Sequence, residues 1–440
     1  MLLPVGRHAW LTSSCAGGPK TVHVVIIGNG ITGATAALEL RQLDHDCKIT
    51  MISGESKYHY ARPALMYIFM GHMSYQDTKP HADHIWEEQR IDLVRDWITG
   101  IDTDAKQLAL HKGGDLGYDK LLIATGAKSN KFDWPGQDLK GVQGLYDLPD
   151  LQRLHETVQR TRQAVIVGGG LIGIELAEML HSCGLPVTFL VREDSYWNNI
   201  LPAEESRMVS RLIREAGFGL KLETGLKEIE GDDSGRACAV ITDTDERIEC
   251  QLVGLTAGVS PNKDTAIDTG RGVFVDWSLR TNVPDVLAAG DCAEIVTEGD
   301  ARNLLQQVWY TGKRQARIAA QVLAGREAIY DPGIWYNSAK FLDLEYHTYG
   351  QVNLCVPDEQ NLYWEHANGN HSIRIVYLQD RVIGINTMGV RFHHRVCEAW
   401  IAEQRPLDYV LEHLADANFD PEFFRRFEAH ATAQFKEALV

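Results

Sequence analysis

Two glycine clusters carry the most chemistry per residue in this chain. The first is Gly28-Asn-Gly30-Ile31-Thr32-Gly33 and the second is Gly168-Gly-Gly170-Leu171-Ile172-Gly173. Each follows a β-branched apolar run and opens a segment rich in small residues. In that setting G-x-G-x-x-G is a diphosphate cradle. Its first glycine turns tightly, its second lets backbone approach the anion, and its third lets helix and strand pack closely. Free N–H groups and the positive helix end hold the charge. The strand Lys48–Ile52 should follow the first helix, with Glu55 placed for both hydroxyls of a ribose.

After the second cluster comes Pro186-Val-Thr-Phe-Leu-Val191-Arg192-Glu193. An acid at position 191 would bind a free 2′-hydroxyl and repel a 2′-phosphate, but valine stands there. Arg192 suits a 2′-phosphate and Glu193 opposes it, so the reading leans to NADPH. Two complete cradles suggest a relay, in which NAD(P)H delivers a hydride to a resident flavin.

These residues resemble the two-dinucleotide flavoproteins, the pyridine nucleotide–disulfide oxidoreductase superfamily. Leu121-Leu-Ile-Ala124-Thr125-Gly126 is similar to the family's A-T-G return to the flavin domain. Leu255-Thr-Ala-Gly258-Val-Ser-Pro261-Asn262 is similar to its G-x-x-P-N return from the nicotinamide domain. Gly290-Asp291 resembles the G-D strand end that contacts the ribityl chain, and a helix is expected over Asn303 to Leu323 with its N-terminus towards the isoalloxazine. The resemblance spans residues 22–390 and implies bound FAD. FAD would rest on Gly28, Gly30, Ile31, Thr32, Gly33, Glu55, Arg62, Ala124, Thr125, Gly126, Gly258, Gly290 and Asp291. NAD(P)H would rest on Gly168, Gly170, Leu171, Ile172, Gly173, Glu175 and Arg192.

Disulfide-reducing branches place a cysteine pair after the first βαβ unit. Here only Cys47 lies between Gly33 and Gly126, ahead of the strand. Tyr60-Ala-Arg62-Pro63-Ala-Leu65-Met-Tyr67 stands there instead, similar to the Y-x-R-P-x-L-S-K segment of ferredoxin and rubredoxin reductases and of apoptosis-inducing factor. Tyr67 replaces the lysine, so a phenol should stand at the flavin's reactive edge. Glu175 matches a glutamate beside the nicotinamide, where it would hold the carboxamide for hydride transfer. Glu175, Arg62 and Tyr67 are therefore the catalytic candidates.

The motif order gives an α/β fold with two Rossmann-like units and a C-terminal α+β interface domain. Residues 1–20 read as a flexible tail. The FAD domain takes 21–146 and 255–328, the inserted NAD(P) domain 147–254, and the interface domain 329–440, with terminal helices ending at Phe423-Phe-Arg-Arg-Phe. The 440 residues exceed one core. A net charge of −17 argues against nucleic acid and anionic membrane as partners. Eight cysteines lack C-x-x-C spacing, which excludes a zinc or cluster framework and suits the cytoplasm. The adjacent His393-His394 pair cannot chelate from one helix face, so no metal is expected. The family's interface domain often forms a dimer contact, which makes a homodimer an expectation. The function expected is an FAD-dependent NAD(P)H oxidoreductase without a redox disulfide. Its acceptor would be a redox protein, quinone or oxygen. The alternatives are a slow redox sensor of the apoptosis-inducing-factor type and an NAD(P)H oxidase.

Overall fold

The computed structural model describes residues 21–263, 267–298, 302–353, 356–419 and 426–439. The N-terminal tail and the Phe423-Phe-Arg segment lie outside the described residues. The fold is mixed α/β, and its three five-stranded sheets are two parallel and one antiparallel, with four smaller sheets among the described residues.

Continuous apolar runs form strands buried on both faces, as a parallel sheet requires. Val24–Ile27 is such a run. Its strand His23–Ile27 lies at the centre of a five-stranded parallel sheet. Around it the order is Val286–Ala288, Lys120–Ile123, His23–Ile27, Lys48–Ile52, Ile91–Val94. The helix Ile31–Leu43 packs against the helix Trp309–Leu323 over this sheet. The second parallel sheet is ordered Gly219–Lys221, Val187–Leu190, Ala164–Val167, Leu252–Leu255, Val142–Gln143. The chain thus leaves the first sheet after Ile123 and rejoins it at Val286, having built the second sheet in between.

Two expectations need correction. Val142–Gln143, assigned to the first domain, pairs in parallel with Val253–Gly254 of the second sheet. Two residues are too short for a hydrophobic pattern, and only this edge pairing identifies them. The helix expected from Asn303 begins at Trp309. Leu304 instead exchanges backbone hydrogen bonds with Ile295, and Asn303 Oδ1 accepts from Thr297 N, so the approach stays extended.

The C-terminal sheet is antiparallel, in the order Tyr336–Phe341, Leu344–Gly350, Arg381–Met388, Ser372–Leu378, Gln360–Glu365. Gln379 and Asp380, both at positive φ, turn the hairpin between Leu378 and Arg381. A buried ionic knot joins this sheet to the second unit. Arg374 Nε donates to Glu205 Oε1 at 2.8 Å, and Asn386 Nδ2 donates to the same oxygen at 3.1 Å. The Glu205 side chain is 0% exposed and that of Arg374 4%. Glu205 lies on the helix Ala203–Glu215, so the knot fixes the C-terminal sheet against the second nucleotide unit. Among the described residues no helix is long and apolar enough to cross a membrane.

Removing one partner of a buried pair strands the other charge. Arg374→Met should cost about 3–5 kcal/mol of unfolding free energy in denaturant titration, and adding Glu205→Gln should recover much of it.

Candidate functional site

The first cradle is built by close approach. Gly28 has φ +108, and a Cβ there would overlap the Ala124 carbonyl oxygen. A Cβ at Gly33 would overlap the Gly28 carbonyl oxygen. Gly30 differs: it has ordinary extended backbone angles, and a Cβ would meet nothing within 4 Å. The protein packs tightly behind the turn and leaves open space in front of it. That is the shape a bound diphosphate needs.

The loop is held from below. Asn29 Nδ2 donates to Ser56 O at 2.8 Å, and His59 Nδ1 pairs with Asn29 O at 2.9 Å. Burial drives the His59 pKa down to about 4, so its imidazole is neutral, and its buried Nε2 has no partner among the described residues. Thr32 reaches the other wall, where a Cβ on Gly290 would overlap its Oγ1 and one on Gly312 would come within 2.7 Å. Gln315 Oε1 accepts from Gly290 N at 2.7 Å. The partly buried Ile31 lies beside Gly312.

Glu55 does not turn outward to a ribose. Its carboxylate accepts from Tyr60 Oη, from both Arg62 amino groups and from Leu148 N at 3.1 Å. Its side chain is 8% exposed, and a buried carboxylate takes the cation within reach. Arg62 is held in turn: it donates to Tyr146 O at 3.0 Å and lies 4.9 Å from the Tyr146 ring centroid. Tyr146 Oη donates to Asp291 Oδ2 at 3.3 Å and accepts from Ala127 N at 2.9 Å. Burial pushes the Asp291 carboxyl above the usual carboxylate range. Tyr146 therefore links Arg62, Asp291 and the A-T-G turn, a role no sequence pattern announced.

The two return segments clasp each other. Thr125 Oγ1 donates to Asn262 O at 2.9 Å, and Asn262 Nδ2 donates to the Thr125 and Ala127 carbonyls at 3.0 and 3.1 Å. Gly126 and Gly258 both have positive φ, and Gly258 O accepts from Asn130 N at 3.1 Å. Tyr67 stands on the short helix Leu65–Phe69 and is 38% exposed.

The second cradle repeats the first. Gly168 has φ +118, and a Cβ would sit 2.7 Å from Thr256 O. Gly173 would crowd Gly168 O at 3.0 Å. At Gly170 the nearest atom is Trp197 Nε1, 4.0 Å away. Trp197 holds φ +63, a strained value for an aromatic residue, between Phe341 and Tyr346 at ring distances of 5.5 and 5.7 Å. Leu171 and Ile172 are partly buried. Val191 is 1% exposed and packs on Gly169, whereas the Arg192 side chain is 81% exposed and 3.7 Å from Glu193. Burial, and then the charge of Glu178, raise the Glu175 pKa to about 7. The first cradle brings Arg62 and Asp291 together through Tyr146; Arg192 stands apart at the outer rim of the second.

Thiol chemistry has poor support in this frame. Burial and Asp44 raise the pKa of Cys47, and burial raises that of Cys292 beside Asp291. A reactive thiolate needs the opposite shift.

Residues 22–321 match the family model described as pyridine nucleotide-disulphide oxidoreductase. The chain is 29% identical over 412 residues to rhodocoxin reductase of Rhodococcus erythropolis, covering 90% of this chain and 93% of that one. It is 31% identical over 307 residues to the ferredoxin reductase component of chlorobenzene dioxygenase from a Cupriavidus species, covering 68% and 74%. A crystal structure of a ferredoxin reductase from Rhodopseudomonas palustris superposes with a TM-score of 0.76 at 25% identity, covering 83% of this chain and 91% of that one.

Two outcomes follow from the cradle geometry. Gly30→Val should purify colourless, yet match flavin-stripped wild type in circular dichroism and unfolding midpoint, because nothing in the chain lies within 4 Å of a Cβ there. Glu175 binds its proton more tightly folded than unfolded, so between its unfolded pKa and about 7 the native state holds more protons. Stability should fall as pH rises through that window. Glu175→Gln should flatten this slope in denaturant titrations at pH 5 and 8.

Proposed function

The chain belongs to the pyridine nucleotide-disulphide oxidoreductase family, and we propose that it carries electrons from NADPH through FAD to a small redox protein without using a disulfide. The carrying observation is the pair of glycine turns, each packed against a neighbouring strand behind and open in front of its middle glycine.

The donor set fits both dinucleotides. Gly28, Gly30, Ile31, Thr32 and Gly33 hold the FAD diphosphate, and Asp291 offers an acceptor for the ribityl hydroxyls. Ala124, Thr125, Gly126, Gly258 and Gly290 shape the wall behind it. Glu55 serves as the counter-ion of Arg62 rather than as a ribose ligand. FAD, when bound, accepts two electrons from a nicotinamide and passes them onward singly or in pairs. The chain's own residues align and tune. Arg62, fixed by Glu55 and Tyr146, presents a rigid positive charge beside Asp291. The uncapped start of the helix Trp309–Leu323 adds its N–H groups and partial positive charge. Glu175 and the shelf of Leu171 and Ile172 position the nicotinamide, and Tyr67 closes the reactive edge.

NADPH is preferred because Val191 is turned into the core and leaves no carboxylate at the usual ribose position, while the exposed Arg192 can meet a 2′-phosphate. A redox-protein acceptor is supported by the relatives, which are named as reductases of ferredoxin or of rhodocoxin. The buried, high-pKa thiols suit a reducing cytosol.

Anaerobic stopped-flow reduction tests the relay. Gly170→Val should stay yellow and be bleached by dithionite but not by NADPH. Arg192→Ala should raise the KM for NADPH by about tenfold and leave that for NADH nearly unchanged. Equal effects on both coenzymes would remove Arg192 from coenzyme selection.

A further inference from the structure

The open front of the second cradle has a side chain at its edge. A Cβ on Gly170 would find Trp197 Nε1 as its nearest neighbour, at 4.0 Å. This is the space in which the middle glycine of G-x-G-x-x-G lets a diphosphate approach the backbone. Trp197 is only partly buried, and its indole N–H makes no hydrogen bond among the described residues.

The indole is aimed there at a cost. Trp197 holds φ +63, a region that bulky side chains avoid. Such an outlier persists only where its surroundings over-determine it, and functional sites are where outliers collect. The restraints are visible. Tyr196, one residue earlier, is 0% exposed. Its backbone N–H donates to Ser210 Oγ at 2.8 Å and its carbonyl accepts from Ser206 Oγ at 2.7 Å, both on the helix Ala203–Glu215. Its Oη donates to Gly170 O at 2.8 Å, so the turn and the segment Tyr196–Trp197 are fixed to each other. Trp197 O accepts from Ile200 N and Leu201 N, both at 3.0 Å. From the C-terminal sheet, the rings of Phe341 and Tyr346 meet the indole at 60° and 71°. Three separate elements thus hold one N–H beside the turn.

The chemistry of that donor narrows its partner. An indole nitrogen donates and cannot accept. A ribose hydroxyl or a carboxamide brings donors as well as acceptors, whereas a diphosphate brings acceptors alone. A hydrogen bond to an ionised acceptor is also roughly twice as strong as one between neutral groups. We propose that Trp197 donates its indole N–H to the diphosphate of NAD(P)H and positions the coenzyme over the second turn. This rests on the NAD(P)H-reductase reading above. The contact is common to NADH and NADPH, unlike that of Arg192.

The probe is ADP-ribose, which carries the diphosphate without a nicotinamide, titrated calorimetrically into oxidised holoenzyme. The control is 2′-AMP, which lacks the diphosphate. Trp197→Phe keeps a ring beside Phe341 and Tyr346 but has no N–H, and Trp197→Gly accepts φ +63 without strain. Each should weaken ADP-ribose binding roughly tenfold and leave 2′-AMP as in wild type. KM should rise by the same factor for NADH and NADPH while the bleaching rate at saturating coenzyme holds, because the diphosphate is bound alike before and during hydride transfer. No binding of ADP-ribose by wild type, or wild-type affinity in either variant, overturns the proposal. So does an equal loss for 2′-AMP, which would put the indole on the adenosine, or a loss confined to the intact coenzymes, which would put it on the nicotinamide. If NADPH fails to bleach wild type, the reductase reading falls, whereas the ADP-ribose titration still reports on Trp197.

Discussion

The structure depends on how closely one backbone can approach another behind the first turn. The helix Ile31–Leu43 must start directly above the strand end Ala124, with no side chain between them. Gly28 and Gly33 meet that demand because a Cβ at either would overlap a carbonyl oxygen. The same constraint recurs where Gly168 meets Thr256. Once both turns are fixed, both helix starts present bare N–H groups to the same kind of space. Gly30 and Gly170, free of that packing constraint, mark where the ligand rather than the protein excludes a side chain.

Other parts of the chain keep the cradles in position. Asn29, Ser56 and His59 stiffen the first turn from beneath. Thr125 and Asn262 clasp the two crossings between units. The Arg374–Glu205 pair fixes the C-terminal sheet on the second unit, and Trp197 wedges between that sheet and Gly170. These are long-range contacts between buried or half-buried polar groups. Their geometry is over-determined, which suits a relay whose two nucleotides must meet at fixed distance.

How much was legible in the sequence follows from the range of each signal. The glycine clusters are local patterns, and the turns they form are where the motif places them; the first sheet is interrupted by the second, as the motif order suggests. Glu55 stands at the strand end that its neighbours suggest, but its partners Arg62 and Leu148 come from further along the chain and no local pattern announces them. Tyr146 and His59 escaped notice because a single tyrosine or histidine carries no period, and Asn262 was legible as part of its segment but not as the clasp on Thr125. Only the paired backbone of Leu304 and Ile295 explains why the later helix starts at Trp309.

The most direct measurement is the identity and amount of the chromophore released from purified protein by heat. The account predicts one FAD per chain, because the first cradle is built for a diphosphate and not for a single phosphate. Release of flavin mononucleotide, or of no flavin from well-folded protein, would contradict it.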